Sequence, residues 1–235
     1  MLQAGIAIPL SLAFTLIPLQ RRGMKDFSQL IEGYHRFRAG DWQQQHDRWE
    51  ELSKGQSPKV MVISCSDSRV DPSQIFDVSP GEIFVVRNVA ALVPPFETAA
   101  GQHGVSAALE FAVQFLGVVE VVVMGHGACG GCKAALTQDL HGNELGEGGF
   151  VANWIGMLDH VREPIAASQG TSGADAEKAM EYAAVQLSLD NLRTFPCVQV
   201  KEGSGALRLH GCHFSIEDGK LYILDESSGD FDPAN

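Results

Sequence analysis

The feature that most constrains this chain is an apolar run that ends in reactive side chains. Residues 60–70 read VMVISCSDSRV, so that β-branched and other apolar residues lead to Cys65, and Asp67 and Arg69 follow at alternate positions. Such a run is typical of a buried strand. Because ligands of open α/β sheets bind at the carboxyl ends of the strands, this run predicts a site that holds a thiol, a carboxylate and a guanidinium.

A second apolar run ends in the same way. Residues 118–124 (VVEVVVM) form a nearly continuous apolar strand, the pattern of a parallel sheet that is covered on both faces. His126 and Cys129 follow it, and a helix is predicted to begin at about Cys129. Together with Cys65 they form a ligand set that zinc prefers, and three protein ligands leave a fourth position for water. The spacing alone also allows a hydrogen-bonded turn histidine and a buried helix thiol.

Cys132 allows a different kind of metal site. It lies three residues after Cys129, on the same face of the predicted helix, so three cysteines and one histidine could form a closed structural site. The alternative is a small buried thiol in the core. We favour the core thiol, because Asp67 and Arg69 would have no use beside a closed site.

The other segments complete an α/β pattern. Helices are predicted at 98–116, 150–161 and 174–195, further strands at 83–86 and 197–201, and a hairpin at 206–216 and 220–224. Two helices within 25–53 form an N-terminal arm, and the tail from Ser227 is expected to be irregular. Strands that alternate with helices imply right-handed crossovers. The predicted fold is a central, mostly parallel sheet flanked by helices, with the N-terminal arm and a C-terminal hairpin.

Charge and cysteine content exclude some function classes. The formal net charge is −12, so the chain has no basic surplus with which to neutralise the phosphates of a nucleic acid. Five cysteines, an odd number that is thinly spread, do not suggest a disulfide framework. We therefore predict a reducing compartment, the cytoplasm, and no nucleic-acid partner.

Residues 1–23 differ in composition from the rest of the chain. They are mostly apolar, contain Pro9 and Pro18, and carry their positive charges after the apolar run, whereas a secretory signal carries them before it. The run is also shorter than the roughly 20 apolar residues of a membrane span. We predict that 1–23 is an extension outside the fold, that Met24 is the initiator, and that 24–235 forms one catalytic domain. Membrane association through the extension remains the alternative.

The motifs at the two strand ends resemble the paired signature of the β-class carbonic anhydrases. The similarity rests on CSDSR at 65–69, HGACGG at 126–131, PGEIFVVRNVA at 80–90 and AALEF at 107–111, and it extends from about residue 25 to residue 224. It implies one zinc ion per subunit, with Cys65, His126 and Cys129 as ligands. The implied reaction is the reversible hydration of CO₂ to bicarbonate and a proton.

The resemblance also gives roles to the polar pair that follows Cys65. Asp67 and Arg69 correspond to the catalytic dyad of the family, which has two arrangements. In the open form Asp67 pairs with Arg69, and in the closed form Asp67 is itself the fourth zinc ligand. The chain is more similar to the open subtype, represented by plant chloroplast enzymes.

The same resemblance implies a substrate pocket. Gln56 matches a glutamine that hydrogen-bonds bicarbonate, whereas Phe84 and Val89 match residues that line an apolar pocket suited to CO₂. Phe111 stands where the open subtype usually has tyrosine, and Ala91 replaces a usual asparagine. These two departures remove a hydroxyl group and an amide group from the pattern but leave the ligand set intact.

Finally, the resemblance implies a homodimer or a larger, even-numbered homo-oligomer. Sites of the family lie at dimer interfaces, so Phe84 and Phe111 are expected to face the zinc of a partner, and the N-terminal helices are expected to wrap around it. Two other functions remain open: hydrolysis of carbonyl sulfide or carbon disulfide at the same zinc site, and a zinc-stabilised scaffold without catalysis. The Asp67 and Arg69 pair argues against a scaffold.

Overall fold

The structure, a computed structural model, describes residues 26–99 and 101–234. The expected extension at 1–23 and the initiator Met24 lie outside these residues, so both remain predictions. The chain divides into two compact units, of which the first ends at Lys54 and the second begins at Gly55. No helix in the described part of the chain is long and apolar enough to cross a membrane.

The described part of the first unit consists of short helices, in agreement with the predicted arm. They are α1 (Phe27–Ala39), α2 (Asp41–Gln44) and α3 (His46–Leu52). Asp26 caps α1, because its side chain accepts a hydrogen bond of 3.0 Å from the backbone N–H of Gln29. No residue of α1 is buried, and its large apolar side chains are exposed: Phe27, Leu30, Ile31, Tyr34 and Phe37.

A six-stranded sheet organises the described part of the second unit. Its strands are β1 (Val60–Cys65), β2 (Ile83–Asn88), β3 (Glu120–His126), β4 (Arg208–Phe214), β5 (Leu221–Asp225) and β6 (Asp230–Pro233). The spatial order is β2-β1-β3-β4-β5-β6. The first four strands pair in parallel, whereas β4–β5 and β5–β6 are antiparallel. The predicted α/β fold with a mostly parallel sheet is confirmed.

Helices of the second unit connect and cover these strands. They are α4 (Pro72–Ile75), α5 (Gly104–Glu110), α6 (Gly130–Thr137), α7 (Gly149–Ile155), α8 (Asp159–Gln169), α9 (Ala174–Leu192) and α10 (Pro196–Gly203). The longest of them, α9, packs on β3 and β4 and buries most of one side. It brings residues from a distant part of the sequence to the end of β3, which matters for the site.

Three local predictions are wrong for identifiable reasons. The segment 197–201 is helical, because Pro196 occupies the first turn of α10, where its fixed φ favours a helix. The helix expected from residue 98 begins at Gly104, after a segment that contains Gly101, a residue of low helix propensity, and it ends in a π-helical turn (Phe111–Leu116). The tail is not irregular but forms β6, which pairs with β5 and stacks Phe231 on Tyr182 at 3.9 Å between ring centroids.

Candidate metal centre

The ends of two adjacent parallel strands bring three potential ligands together. Cys65 is the last residue of β1, His126 is the last residue of β3, and Cys129 caps the N-terminus of α6. One ligand atom from each side chain lies within 4.8 Å of those of the other two. The three residues are at most 6% exposed. The sulfur and nitrogen atoms therefore surround one small buried point.

The ring of His126 has the orientation of a metal ligand. Its Nδ1 atom lies 2.9 Å from the carbonyl oxygen of Gly127, a contact that fixes which nitrogen carries the proton. Its Nε2 atom is buried and has no hydrogen-bond partner among the described residues. Because buried polar atoms are rarely left without a partner, this nitrogen calls for a ligand that the protein does not supply. A divalent cation between Nε2 and the two sulfur atoms fits this requirement.

The two thiols are poorly suited to act as nucleophiles. The pKa of Cys65 is raised to about 12, first by a hydrogen bond with Cys129 and then by burial. The pKa of Cys129 is also raised to about 12, chiefly by a hydrogen bond with Cys132. Nucleophilic cysteines need a lowered pKa. Because zinc binds thiolates strongly, the donor set fits a metal site better than thiol catalysis.

Asp67 and Arg69 form a bidentate pair next to the three potential ligands. Arg69 donates from Nε to Oδ1 of Asp67 at 2.9 Å and from Nη2 to Oδ2 at 2.7 Å. The side-chain hydrogen bonds from Arg69 hold the pKa of Asp67 well below its usual range. Arg69 Nη2 also donates to the carbonyl oxygen of Ala128 at 3.0 Å. The pair thus joins the loop after β1 to the loop after β3.

Cys132 does not belong to the group of Cys65, His126 and Cys129 that could hold a metal ion in the described part of the chain. It is 3% exposed and packs in an apolar cluster with Leu136 and Met180. This environment is the one expected for a core thiol rather than for a fourth ligand. Of the two other cysteines, Cys212 is a buried thiol on β4, and Cys197 lies half-buried on α10 rather than on a strand.

The expected substrate residues are distributed unevenly around the ligands. Gln56 is exposed in the irregular segment before β1. Val89 lies close to the first turn of α6, directly after Cys129, since a Cβ atom at Gly131 would come within 2.8 Å of Val89 Cγ1. Phe84 and Phe111 pack on each other with ring centroids 5.9 Å apart.

The two phenylalanines lie away from the ligands of their own chain. In the sheet register Phe84 pairs with Met61, four residues before Cys65, which corresponds to about 13 Å along the strand. The structure therefore brings Val89 close to the potential ligands but leaves Phe84 and Phe111 on another part of the surface.

Arg87 is a site residue for which sequence reasoning gave no role. It donates hydrogen bonds to the carbonyl oxygens of Cys65 at 2.8 Å, Asp67 at 2.6 Å and Val70 at 3.2 Å, and to the carboxylate of Asp71 at 3.1 Å. The sequence feature that could have indicated a role for Arg87 is its position directly after the apolar residues IFVV. This guanidinium fixes the backbone of the loop that carries both the thiol and the carboxylate.

Replacing Arg87 with lysine is expected to lower the free energy of unfolding by about 2–3 kcal/mol, because charged hydrogen bonds to buried carbonyl groups are lost. An ammonium group cannot reproduce the planar fork that reaches several acceptors. Denaturation in urea measures the change. The matched control is Arg208→Lys, at an exposed pair with Glu120, for which we expect a smaller effect. Equal effects of the two substitutions would contradict the structural role of Arg87.

Glu181 and His213 are two further residues that the sequence reading missed. Glu181 accepts a hydrogen bond of 3.0 Å from the backbone N–H of Cys129, and its other oxygen lies 2.9 Å from His213 Nε2. Both residues are buried. The signal in the sequence was a glutamate on the apolar face of a helix, between Met180 and Ala184.

Comparison with known proteins agrees with this geometry. The profile of the carbonic anhydrase family matches residues 60–221, which include all three potential ligands. The solved structure of the β-carbonic anhydrase CcaA superimposes with a TM-score of 0.81 at 32% identity, over 88% of this chain and 92% of that one. The chain belongs to the β-class carbonic anhydrase family.

Two relatives by sequence and a second solved structure support the assignment of this carbonic anhydrase to the family. A carbonic anhydrase of Synechocystis is 34% identical over 206 residues, which cover 86% of this chain and 73% of the relative. One from Pseudomonas aeruginosa is 36% identical over 202 residues, with coverage of 86% and 89%. A Coccomyxa β-carbonic anhydrase solved with acetazolamide has a TM-score of 0.74 at 29% identity, with coverage of 89% and 93%. The predicted family and its enzymatic class are confirmed.

Proposed function

We propose that this carbonic anhydrase uses zinc to catalyse the reversible hydration of CO₂ to bicarbonate and a proton. The observation that carries the proposal is the buried Cys65, His126 and Cys129 cluster with Asp67 held beside it. The three residues would hold one zinc ion per subunit. A zinc ion makes water a stronger acid and a nucleophile at neutral pH, a property for which carbonic anhydrases are themselves the standard example.

Asp67 then has a defined task. The thiolates of Cys65 and Cys129 would neutralise the formal charge of a bound zinc ion and so would weaken its effect on the acidity of water. The carboxylate of Asp67 would accept a hydrogen bond from the reacting water, which would offset this loss and orient the water toward CO₂. Arg69 keeps Asp67 ionised and in place through two parallel hydrogen bonds. Asp67 pairs with Arg69 and does not belong to the group of three potential ligands. This arrangement supports the open form.

The pocket would be completed by a second copy of the chain. Phe84 and Phe111 lie away from the ligands of their own chain, and β2 is an edge strand of the described sheet. Phe111 is 43% exposed and stacks on Phe115, which is 73% exposed. The Sordaria macrospora β-carbonic anhydrases, at 27% identity, are described as tetrameric. We infer a homodimer or a larger, even-numbered homo-oligomer in which the two aromatic rings of one subunit line the pocket of another.

Stopped-flow measurement of CO₂ hydration tests the proposed function. The purified protein is expected to catalyse the reaction, to lose activity when a chelator removes zinc, and to regain it when zinc is restored. Val89 and Gln56 are expected to contribute to substrate binding rather than to metal content. A zinc-loaded protein that does not hydrate CO₂, or that hydrolyses only carbonyl sulfide, would contradict the proposal.

Replacing Phe115 with glutamate is expected to shift the protein toward smaller species and to reduce its activity, because a charge would enter an apolar interface. Sedimentation velocity and CO₂ hydration measure the two effects on the same sample. Leu145→Glu is the matched control, since Leu145 is 62% exposed on a loop. A fully active monomer of the Phe115 variant would contradict the shared pocket.

A further inference from the structure

A single peptide group in the loop after β3 is held from both sides. This group joins Ala128 to Cys129, and its carbonyl oxygen accepts a hydrogen bond of 3.0 Å from Arg69 Nη2. Its N–H donates a hydrogen bond of 3.0 Å to Oε1 of Glu181. The peptide group therefore connects the Asp67 and Arg69 pair with a buried carboxyl group on α9.

The backbone at this peptide group is in a conformation that needs support. Ala128 has φ +55°, in the left-handed region that residues with a Cβ atom rarely adopt. Such residues persist where surrounding contacts hold them. Cys129 follows directly and caps α6, so a rotation of the peptide plane would displace both the Cys129 thiol and the oxygen that Arg69 contacts.

Glu181 lies at a buried position where packing alone would not require a polar side chain. The residue is 4% exposed, and its Oε2 lies 2.9 Å from His213 Nε2, on a residue that is 2% exposed. A buried carboxyl group costs free energy unless it is hydrogen-bonded. Both oxygens of Glu181 are hydrogen-bonded, one to the backbone N–H of Cys129 and the other to His213, which holds the side chain in position.

Two glycines allow this helix to approach the sheet closely enough for the contact. A Cβ atom at Gly125 on β3 would come within 2.7 Å of Val185 Cγ2, and one at Gly211 on β4 within 2.9 Å of Val185 Cγ1. Real Cβ atoms do not make contacts this short, so α9 could not pack here against alanine. Val185 is one turn after Glu181, and the glycines thus place the carboxyl group within reach of Cys129.

We propose that Glu181 and His213 are positioning residues of the metal site, which fix the Ala128–Cys129 peptide and through it the Cys129 thiolate and Arg69. The inference rests on the proposed function, since it takes Cys129 as a metal ligand. Mutation of residues that hydrogen-bond to metal ligands typically lowers metal affinity or activity by about 10–100-fold. Other carbonic anhydrases are among the proteins for which this range is known. Glu181 acts on the ligand through a backbone N–H rather than through the thiol itself.

The test compares two substitutions in the full-length protein loaded with Co²⁺, because zinc itself has no visible spectrum. Glu181→Leu removes the acceptor, and we expect an altered Co²⁺ absorption spectrum and release of the metal to a chelator that is about 10–100-fold faster. Glu181→Gln keeps an oxygen for the Cys129 N–H, and His213 can accept from the new amide as its other tautomer. We expect the glutamine variant to restore the spectrum and most of the slow release.

Leucine is preferred to alanine because Glu181 borders a cavity of about 400 Å³, in which water could replace a lost carboxyl group. The matched control is Glu177→Leu, one turn earlier on α9 and bordering the same cavity, where the glutamate pairs with Lys133 at 2.9 Å. This control is expected to keep the wild-type spectrum and release rate.

Unchanged spectra and release rates in Glu181→Leu, or equally fast release from the leucine and glutamine variants, would overturn the proposal. A lower melting temperature alone would also overturn it, because packing would then account for the effect. Failure of the proposed function is a separate result: the wild-type protein would bind Co²⁺ without hydrating CO₂, and the comparison of release rates would still stand.

Discussion

Replacing Cys65 with serine is expected to abolish stoichiometric metal binding and, with it, CO₂ hydration. The substitution removes one of three ligand atoms that lie within 4.8 Å of one another, and a hydroxyl group is a poor ligand for zinc. The loss of metal affinity should exceed the effect of about 10–100-fold that is typical when a residue that hydrogen-bonds to a metal ligand is mutated. Metal content by atomic emission and stopped-flow activity on the same sample measure the two quantities.

Cys132→Ser is the matched control, because Cys132 is also a buried thiol and lies near Cys129 in sequence. We expect this variant to keep one metal ion per subunit and most of the activity, with a modest loss of stability from the polar group in an apolar cluster. Loss of the metal from both variants would instead indicate a closed site with four protein ligands. Such a site would leave no position for water and would contradict the catalytic proposal.

Cys65, His126 and Cys129 could be brought together from sequence because their signals are local. Each follows an apolar run, and parallel neighbouring strands place their carboxyl ends at one edge of the sheet. The resemblance of the motifs to a known family then supplied the ligand set and the role of the carboxylate. Asp67 and Arg69 are two residues apart, so their pairing needs no long-range contact to predict.

Arg87 and Glu181 could not be assigned in this way, because their roles depend on packing between distant segments. Glu181 reaches Cys129 across 52 positions of sequence only because α9 approaches two glycines of the sheet. The sequence shows that Glu181 lies on an apolar helix face, but it does not show that Cys129 is the partner of this carboxylate. The strand predicted at 197–201 is wrong for a different, local reason, since its alternating pattern is short and Pro196 starts a helix instead.

Replacing Asp67 with asparagine is expected to leave the metal in place and to reduce the kcat/KM of CO₂ hydration by about 100- to 1000-fold, the range for removal of one preorganised hydrogen-bonding group. Asparagine has nearly the same shape and can still accept one hydrogen bond from Arg69. It lacks the negative charge that Arg69 stabilises and offers the attacking water a much weaker acceptor. Metal content, the circular dichroism spectrum and stopped-flow rates separate these effects.

The control for Asp67→Asn is Glu120→Gln, since Glu120 is also held by an arginine, Arg208, through two nitrogen atoms. Glu120 begins β3, whereas His126 ends it, so the two lie about 20 Å apart along the strand. This variant should retain wild-type kcat/KM, which would show that the loss in Asp67→Asn is specific to the site. Unchanged activity in Asp67→Asn would contradict the role of the carboxylate. Loss of metal together with activity would mean that Asp67 itself binds the ion, as in the closed arrangement, because an orienting acceptor contributes to the reaction without contributing to metal affinity.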